Sequence, residues 1–333
     1  MRIIIDAMGG DNAPSVNVYG AVKALSHRDD LMITLVGQED AIRALLNETE
    51  YDESRIDIVN ATQVISNEDH PAKSILAKKD SSIVVGLKML RDHKADAFIS
   101  AGSTGALLAG SSIIVKPIKG VMRPALATLL PTETGSPVML LDSGANVDAK
   151  PEHLLQYAIM ASVYMHSVQK NDSPRVGLLN VGTEEGKGNA LTKETYPLLS
   201  GSSLNFIGNV EGRDVLSGIC DIIVCDAFAG NVLLKTVEGF AKGMFSTLKK
   251  ELTSSFFKKI LAGMLKKSFT NIKKQFDYAE YGGAPLLGIS ECVVKAHGSS
   301  NSRAIECATT QAEHLIDAKV VETLENNVEL LSI

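Results

Sequence analysis

Five glycine-bearing turns hold most of the residues in this 333-residue chain that can bind or react, and each directly follows a short apolar run. The first carries Asp6, Gly9 and Gly10. The second carries Gly102, Ser103 and Thr104, and the third Asp142, Gly144 and Asn146. The fourth runs Asn180-Val181-Gly182-Thr183-Glu184-Glu185-Gly186-Lys187-Gly188-Asn189, and the last is His297-Gly298-Ser299-Ser300. Asp226 and Asn231 sit in a related turn after Ile222–Cys225. Glycine lets a backbone take positive φ and approach a ligand closely. Backbone N–H groups in such a turn, with a helix start behind them, suit an anion. The fourth turn joins three glycines to a lysine between a strand (Arg175 to Asn180) and a helix (Ala190 to Leu199), which reads as a phosphate cradle built from Gly182, Thr183, Lys187 and Asn189. A plain strand-to-helix connection is the other reading.

Of seven histidines, only His297 stands at a strand's carboxyl end, with a glycine and two serines behind it. An imidazole there can exchange a proton near neutral pH; a hydrogen-bonded structural histidine is the alternative. Several reactive motifs are missing. No GxGxxG follows a strand, no HExxH occurs, and the loop serines do not form GxSxG. The Gly182–Lys187 loop is one residue short of a P-loop, and Gly188 stands where that motif puts its magnesium-binding Ser or Thr. Asp6, Asp142 and Asp226 at strand ends suit magnesium but equally suit turns and helix caps. No metal or cofactor is therefore assigned. Cys220, Cys225, Cys292 and Cys307 form no CxxC and read as reduced thiols of a cytosolic protein.

The elements that must position these turns alternate along the chain. Strands are expected at Ile3–Asp6, Leu31–Val36, Ile56–Asn60, Ala97–Ser100, Val138–Leu141, Arg175–Asn180, Ile222–Cys225 and Val293–Ala296. Helical spacing fills the intervals, including one continuous stretch from Ser74 to Arg91. This predicts an α/β domain over residues 1–333, with a mostly parallel sheet and helices on both faces. In such sheets ligands bind beyond the strands' carboxyl ends, so the turns are expected to converge on one cleft. Net charge is −6, which excludes nucleic-acid binding by bulk charge. The amino terminus offers no signal peptide, and no apolar run is long enough to span a membrane.

One stretch reverses the charge. Between Lys249 and Lys274 eight lysines face a single acid, Glu251. On a helical wheel Phe257, Leu261, Met264 and Leu265 share one side with Ile260 and Ile272, Lys266 lies opposite, and Lys258 sits near the apolar edge. This predicts a basic amphipathic arm inserted at about 238–276, made to lie on an anionic membrane surface or to receive an acidic protein. An ordinary surface helix with its apolar side packed inward is the competing reading.

Asp6-Ala7-Met8-Gly9-Gly10-Asp11, Arg123-Pro124-Ala125-Leu126-Ala127, Asn180-Val181-Gly182-Thr183-Glu184, Tyr281-Gly282-Gly283-Ala284 and His297-Gly298-Ser299-Ser300, in that order, resemble the bacterial phosphate acyltransferase family PlsX over nearly the whole chain. The chain departs from that pattern at Ser103, Ser143 and Ala227. The resemblance implies a fold similar to isocitrate and isopropylmalate dehydrogenases and to phosphate acetyltransferase. It also implies a homodimer with a helical arm near the subunit contact. The implied reaction converts acyl-[acyl carrier protein] and inorganic phosphate into acyl phosphate. A membrane glycerol-3-phosphate acyltransferase then uses the product in phospholipid synthesis, which implies a cytoplasmic protein held at the inner face of the membrane. With direct phosphate attack no protein nucleophile is needed. His297, Asn180 and Asp226 become the catalytic candidates, and Ser299 joins the phosphate-binding set. Asp6, Gly9, Gly10, Thr104, Asn146 and Asn231 are candidates for the acyl or carrier arm, and Phe257, Lys258, Leu261, Met264, Leu265 and Lys266 for membrane or carrier-protein contact. A coenzyme A-dependent phosphate acetyltransferase-like enzyme, a dehydrogenase and a non-catalytic membrane scaffold are the rival readings.

Overall fold

Apolar runs rich in Ile, Val and Leu form the strands of one sheet in the computed structural model, which describes residues 1–275 and 282–327. The strands are β1 (Arg2–Asp6), β2 (Met32–Gly37), β3 (Ile56–Asn60), β4 (Ala97–Ser100), β5 (Ala125–Leu130), β6 (Val138–Leu141), β7 (Arg175–Asn180), β8 (Asn205–Glu211), β9 (Ile222–Val224), β10 (Ala284–Leu287) and β11 (Cys292–Lys295). Their spatial order is β3-β2-β1-β4-β11-β10-β5-β6-β9-β7-β8. All eight expected strands are present. Three more, β5, β8 and β10, were not anticipated.

Two of those three decide the architecture. From β3 to β11 all neighbours are parallel, and so are those from β6 to β8. Between these blocks β10 pairs antiparallel with both β11 and β5, and β5 pairs antiparallel with β6. Three successive reversals make the second block run opposite to the first. The sheet is mostly parallel, as expected, but as two opposed blocks joined by an antiparallel seam. The strand ends therefore do not all open on one edge.

Helices cover both faces: α1 (Ser15–Ala24), α2 (Glu39–Leu46), α3 (Pro71–Ala77), α4 (Ser82–Arg91), α5 (Thr104–Gly110), α6 (Pro151–Ser167), α7 (Ala190–Ser200), α8 (Ala227–Leu252), α9 (Phe256–Met264), α10 (Lys266–Gln275), α11 (Ser302–Asp317) and α12 (Val320–Asn326). Strand alternation sorts the core. Ile3 and Ile5 of β1 belong to the core on the face covered by α1, α2, α6 and α11, while Ile4 belongs to the core on the other face, with residues of α4 and α5. The expected Ser74–Arg91 helix is broken at residues 78–81. There Asp80 accepts from the Thr62 backbone and hydroxyl, and Ser81 caps α4 by accepting from Val84 N–H. Such local bonds compete with helix continuation.

The expected arm starts inside α8, an unbroken 26-residue helix that begins at the strand end of β9. Beyond it, the predicted amphipathic helix is split at Leu265 into α9 and α10. Phe256, Phe257, Ile260, Met264 and Leu265 are all exposed. Among the described residues no helix is long and apolar enough to cross a membrane. Tyr281 lies outside the described residues.

Helix α4 approaches the sheet closely because Gly86 faces Phe98 of β4. A Cβ at position 86 would lie 2.3 Å from a Phe98 ring carbon. Alanine ordinarily favours a helix over glycine by about 1 kcal/mol, but overpacking a filled core costs about 1–3 kcal/mol. The clash therefore wins: Gly86→Ala is expected to lower the midpoint of urea unfolding. An unchanged or raised midpoint would mean that Phe98 swings aside.

Candidate active site

Three turns of the first block are stitched together by backbone and short side chains. Asp6, fully buried at the end of β1, accepts from Met8 N–H (3.0 Å) and from the Ser100 hydroxyl (2.7 Å). Ser100 Oγ in turn accepts from Gly102 N–H. Burial pushes the Asp6 pKa up against these hydrogen bonds, which stabilise its charged form. Asn17 of α1 donates to the carbonyls of Ala7 and Gly9, holding the first turn down. Gly9 is pressed against Asp6 and Gly102, where a Cβ would lie 2.5 Å from the carboxylate, and Gly10 takes φ +100°. Asp11 N–H then donates to Gly298 carbonyl, joining the first turn to the last. Asp6, Gly9 and Gly10 thus brace from behind the turns that carry the cavity residues Gly102 and Gly298.

The opposite wall comes from the seam and the second block. Asp142, with no exposed surface, accepts from the backbone N–H groups of Leu126, Gly144, Ala145 and Asn146 and from the Asn146 amide. That amide also donates to Pro124 carbonyl. The cage fixes the turn after β6, and Ser143 Oγ reaches Thr128 Oγ1 at 2.7 Å. Gly230 lets α8 sit directly on this turn, since a Cβ there would lie 2.0 Å from Asp142 carbonyl. Asp226 caps α8 by accepting from Ala229 N–H at 2.7 Å. One turn on, Asn231 faces Gly144.

Between these walls lies a cavity of about 320 Å³ lined by Gly102, Thr104, Thr128, Ser143, Asn231, Lys235, Lys295, His297 and Ser300, among others. His297 Nδ1 lies 2.9 Å from Ser299 Oγ, and Nε2 lies 3.0 Å from the ammonium of Lys235, which also pairs with Glu238. Nδ1 also accepts from the Ser299 backbone N–H at 3.2 Å, so Ser299 and Lys235 together hold both ring nitrogens in place. Burial foremost, and then the Lys235 charge, hold the His297 pKa below its ordinary value. Both effects favour the neutral imidazole. A second hollow of about 1110 Å³ starts at the same His297 and Ser299 and extends along α8 toward α9 and α10. Phe245, Leu248, Leu252 and Phe269 give it apolar walls, with Lys242, Lys249 and Lys266 among its other lining residues.

The structure brings together Thr104, Asn231, His297 and Ser299, with Asp6, Gly9, Gly10 and Asn146 bracing them. The fourth turn stands apart. Asn180 donates to Lys187 carbonyl, Asn189 caps α7 by accepting from Thr192 N–H, and Gly188 takes φ +101° against Asn180. Lys187 lies 4.0 Å from Glu184, and Thr183 is exposed. Neither Gly182, Thr183, Lys187 nor Asn189 lines the cavity. In the sheet β7 is five strand spacings from β11, about 24 Å at ~4.8 Å each. Of the outer residues, Phe257, Met264 and Leu265 are exposed, Lys258 pairs with Glu251, and Lys266 borders the large hollow. Leu261 lies in α9, and its side chain falls outside the described residues.

Sequence reading missed Lys235, Lys295, Thr128 and Ser300 as cavity residues. Lys295 carried a signal: a lysine closing the apolar run Cys292-Val293-Val294 is unusual, because lysine is almost never fully buried unless paired. For His297 the expected outcome is measurable. Lys235→Met removes a neighbouring cation, so the imidazole titration followed by NMR is expected to move to higher pH. A midpoint that stays put or falls would mean that the Lys235 charge does not depress the imidazole.

The profile of a family described as "Fatty acid synthesis protein" matches residues 1–323. A phosphate acyltransferase of Shouchella clausii is 50% identical over 329 residues, covering 99% of both chains. One of Brevibacillus brevis is 49% identical over 329 residues, covering 99% of this chain and 98% of its own. Among solved structures, a phosphotransacetylase from Streptococcus pyogenes superposes with a TM-score of 0.63 at 18% identity, over 97% of this chain and 94% of that one. The EutD phosphotransacetylase from Staphylococcus aureus gives 0.59 at 15% identity, over 96% and 94%. These two likenesses show a shared fold. With the family profile spanning nearly the whole chain and curated relatives at half identity, this chain belongs to the fatty acid synthesis protein family and is an acyltransferase.

Proposed function

We propose that this acyltransferase makes fatty acyl phosphate from inorganic phosphate and acyl-[acyl carrier protein], in a cleft centred on His297. The observation that carries the reading is continuity: the polar cavity and the long apolar hollow along α8 share Lys235, Glu238 and His297. A thioester carbonyl held at that junction has polar groups around it and apolar surface for its chain. A phosphate oxygen attacks the carbonyl carbon, the C–O bond forms, and the C–S bond breaks to release the carrier's thiolate. His297, biased toward its neutral form, takes the proton from phosphate and passes it to sulfur. Holding both reactants in one cleft removes much of the entropic cost of their encounter. Thr104 and Asn231 orient the acyl group or its pantetheine arm. Asp226 acts through the helix start that carries Asn231. Asp6, Gly9, Gly10 and Asn146 keep the walls in place. Asn180, Gly182, Thr183, Lys187 and Asn189 shape the turn beside β7, apart from this cleft, and in this reading do not hold the reacting phosphate.

The outer part of α8 with α9 and α10 is, in this reading, a basic arm. Its exposed apolar residues Phe257, Met264 and Leu265, with lysines beside them, suit the headgroup layer of an anionic membrane. Lys258 and Lys266 suit the acidic carrier protein. The protein then works in the cytoplasm as a homodimer at the inner face of the membrane, and hands acyl phosphate to a membrane glycerol-3-phosphate acyltransferase. A coenzyme A thioester is the alternative donor, favoured by the fold shared with phosphotransacetylases.

The deciding assay gives the purified protein inorganic phosphate with either acyl-[acyl carrier protein] or acyl-CoA. Acyl phosphate from the carrier-bound donor is expected, and none from either donor would leave a scaffold role. His297→Ala is expected to lower turnover by about 10²–10⁴-fold; wild-type turnover would remove His297 from the proton path. Met264→Glu is expected to reduce co-sedimentation with anionic vesicles while leaving acyl phosphate formation in solution intact. Undiminished sedimentation would assign the arm to a protein partner.

A further inference from the structure

Resting on the phosphate reading above, we propose that the reacting phosphate is seated by Lys295 and Ser300 in the His297 cavity. Lys295 closes β11 with its side chain on the face shared with Leu126 and Thr128, and it is only 7% exposed. A buried ammonium is costly unless paired. Among the described residues no carboxylate lies within the 4.0 Å ion-pair distance of Lys295, and its ammonium donates to its neighbour's carbonyl, Ala296 O. Asp6 and Asp11 attract it from farther away, while burial pulls its pKa down to about 8. Ser300, 1% exposed, lines the same cavity, and its buried hydroxyl has no hydrogen-bond partner among the described residues. A buried polar group in that state calls for a partner, and at a cavity wall a bound ion can supply one.

The two groups share a common demand. A cation without a counter-ion and a donor without an acceptor both call for an anion rich in acceptor oxygens. Lys235 adds a second ammonium 3.0 Å from His297 Nε2, and Glu238, the carboxylate on this cavity, is already held by Lys235. Ser300 immediately precedes Asn301, the cap of the 16-residue α11, so that helix's positive end adds to the field. An anion resting here has His297 on the same cavity wall and the apolar hollow beginning beside it. The loop carrying Lys187 offers none of this. Its lysine is exposed, a carboxylate is its neighbour, and no histidine lies in it.

The test compares Lys295→Met, Ser300→Ala and Lys187→Ala in steady-state acyl phosphate formation. Stabilisation of each folded protein by inorganic phosphate is measured alongside. Loss of a charge-assisted hydrogen bond is worth about 10- to 100-fold in affinity. The phosphate KM is expected to rise by that factor in Lys295→Met, and less in Ser300→Ala. Phosphate should raise the melting temperature of the parent and of Lys187→Ala but not of Lys295→Met. The proposal is overturned if Lys187→Ala loses the phosphate response and Lys295→Met keeps it. If phosphate stabilises the parent through Lys295 but no acyl phosphate forms, the seat stands and the reaction reading fails. Lys295→Arg separates charge from packing: it should retain part of the phosphate stabilisation, and complete loss would point to a purely steric role.

Discussion

The antiparallel seam of β10 and β5 is the constraint on which this molecule's architecture depends. Leu286 opposite Leu126 and Leu287 opposite Ala125 turn a run of parallel strands into two blocks of opposite sense. Without that reversal, Ser143, Gly144 and α8 would not meet the turns of the first block. Because the seam lies between the blocks, the half-buried Thr128 and the edge of the buried Ala284 also line the cavity. The walls on either side are then held by two buried carboxylates. Asp6 ties β1 to β4, and Asp142 ties β6 to β5. Each accepts several hydrogen bonds, which is how a buried carboxylate offsets the loss of water. Shared placement at strand ends had made Asp6, Asp142 and Asp226 look alike in sequence. Their surroundings separate them into two wall braces and one helix cap.

Much of the fold was legible because its signals are local. Ile3-Ile4-Ile5 can hardly be other than a buried strand, and the glycine turns after β1, β4, β6 and β11 announce their strand ends. The seam was not legible for equally local reasons. Ala125 to Leu130, Ala-Leu-Ala-Thr-Leu-Leu, has the composition of a helix. Ala284 to Leu287 is four residues long and contains a proline. Each pairs on one side with the next strand in the chain, but on the other side they pair with each other across more than a hundred residues, and that contact is not encoded locally. The break between α3 and α4 was hidden similarly, since apolar spacing continues across it while Asp80 turns to Thr62.

The same distinction governs the site. His297 was found because a histidine behind an apolar strand and before glycine and serines is conspicuous. Convergence of the turn at Gly182 was expected because it shares their local chemistry, yet membership of a cleft is set by strand order and direction, which local chemistry does not encode. Lys295 and Ser300 were overlooked for the opposite reason. Lysine and serine are commonplace on surfaces, and only their burial, known from the folded chain, gives them weight.

Helix α8 carries a mechanical implication. Its 26 residues make a rod of about 39 Å at ~1.5 Å per residue. One end is clamped by Asp226 and by the contact of Gly230 with the Asp142 turn, and the other continues toward the outer helices. Asn231 and Lys235 stand within the first three turns. A continuous helix resists bending, so it acts as a lever whose fulcrum is the cavity wall. A macromolecule or surface that grips the far end restrains the orientation of the two side chains at the near end. Recruitment and alignment are thereby linked in one covalent element, with no intervening loop to absorb the motion.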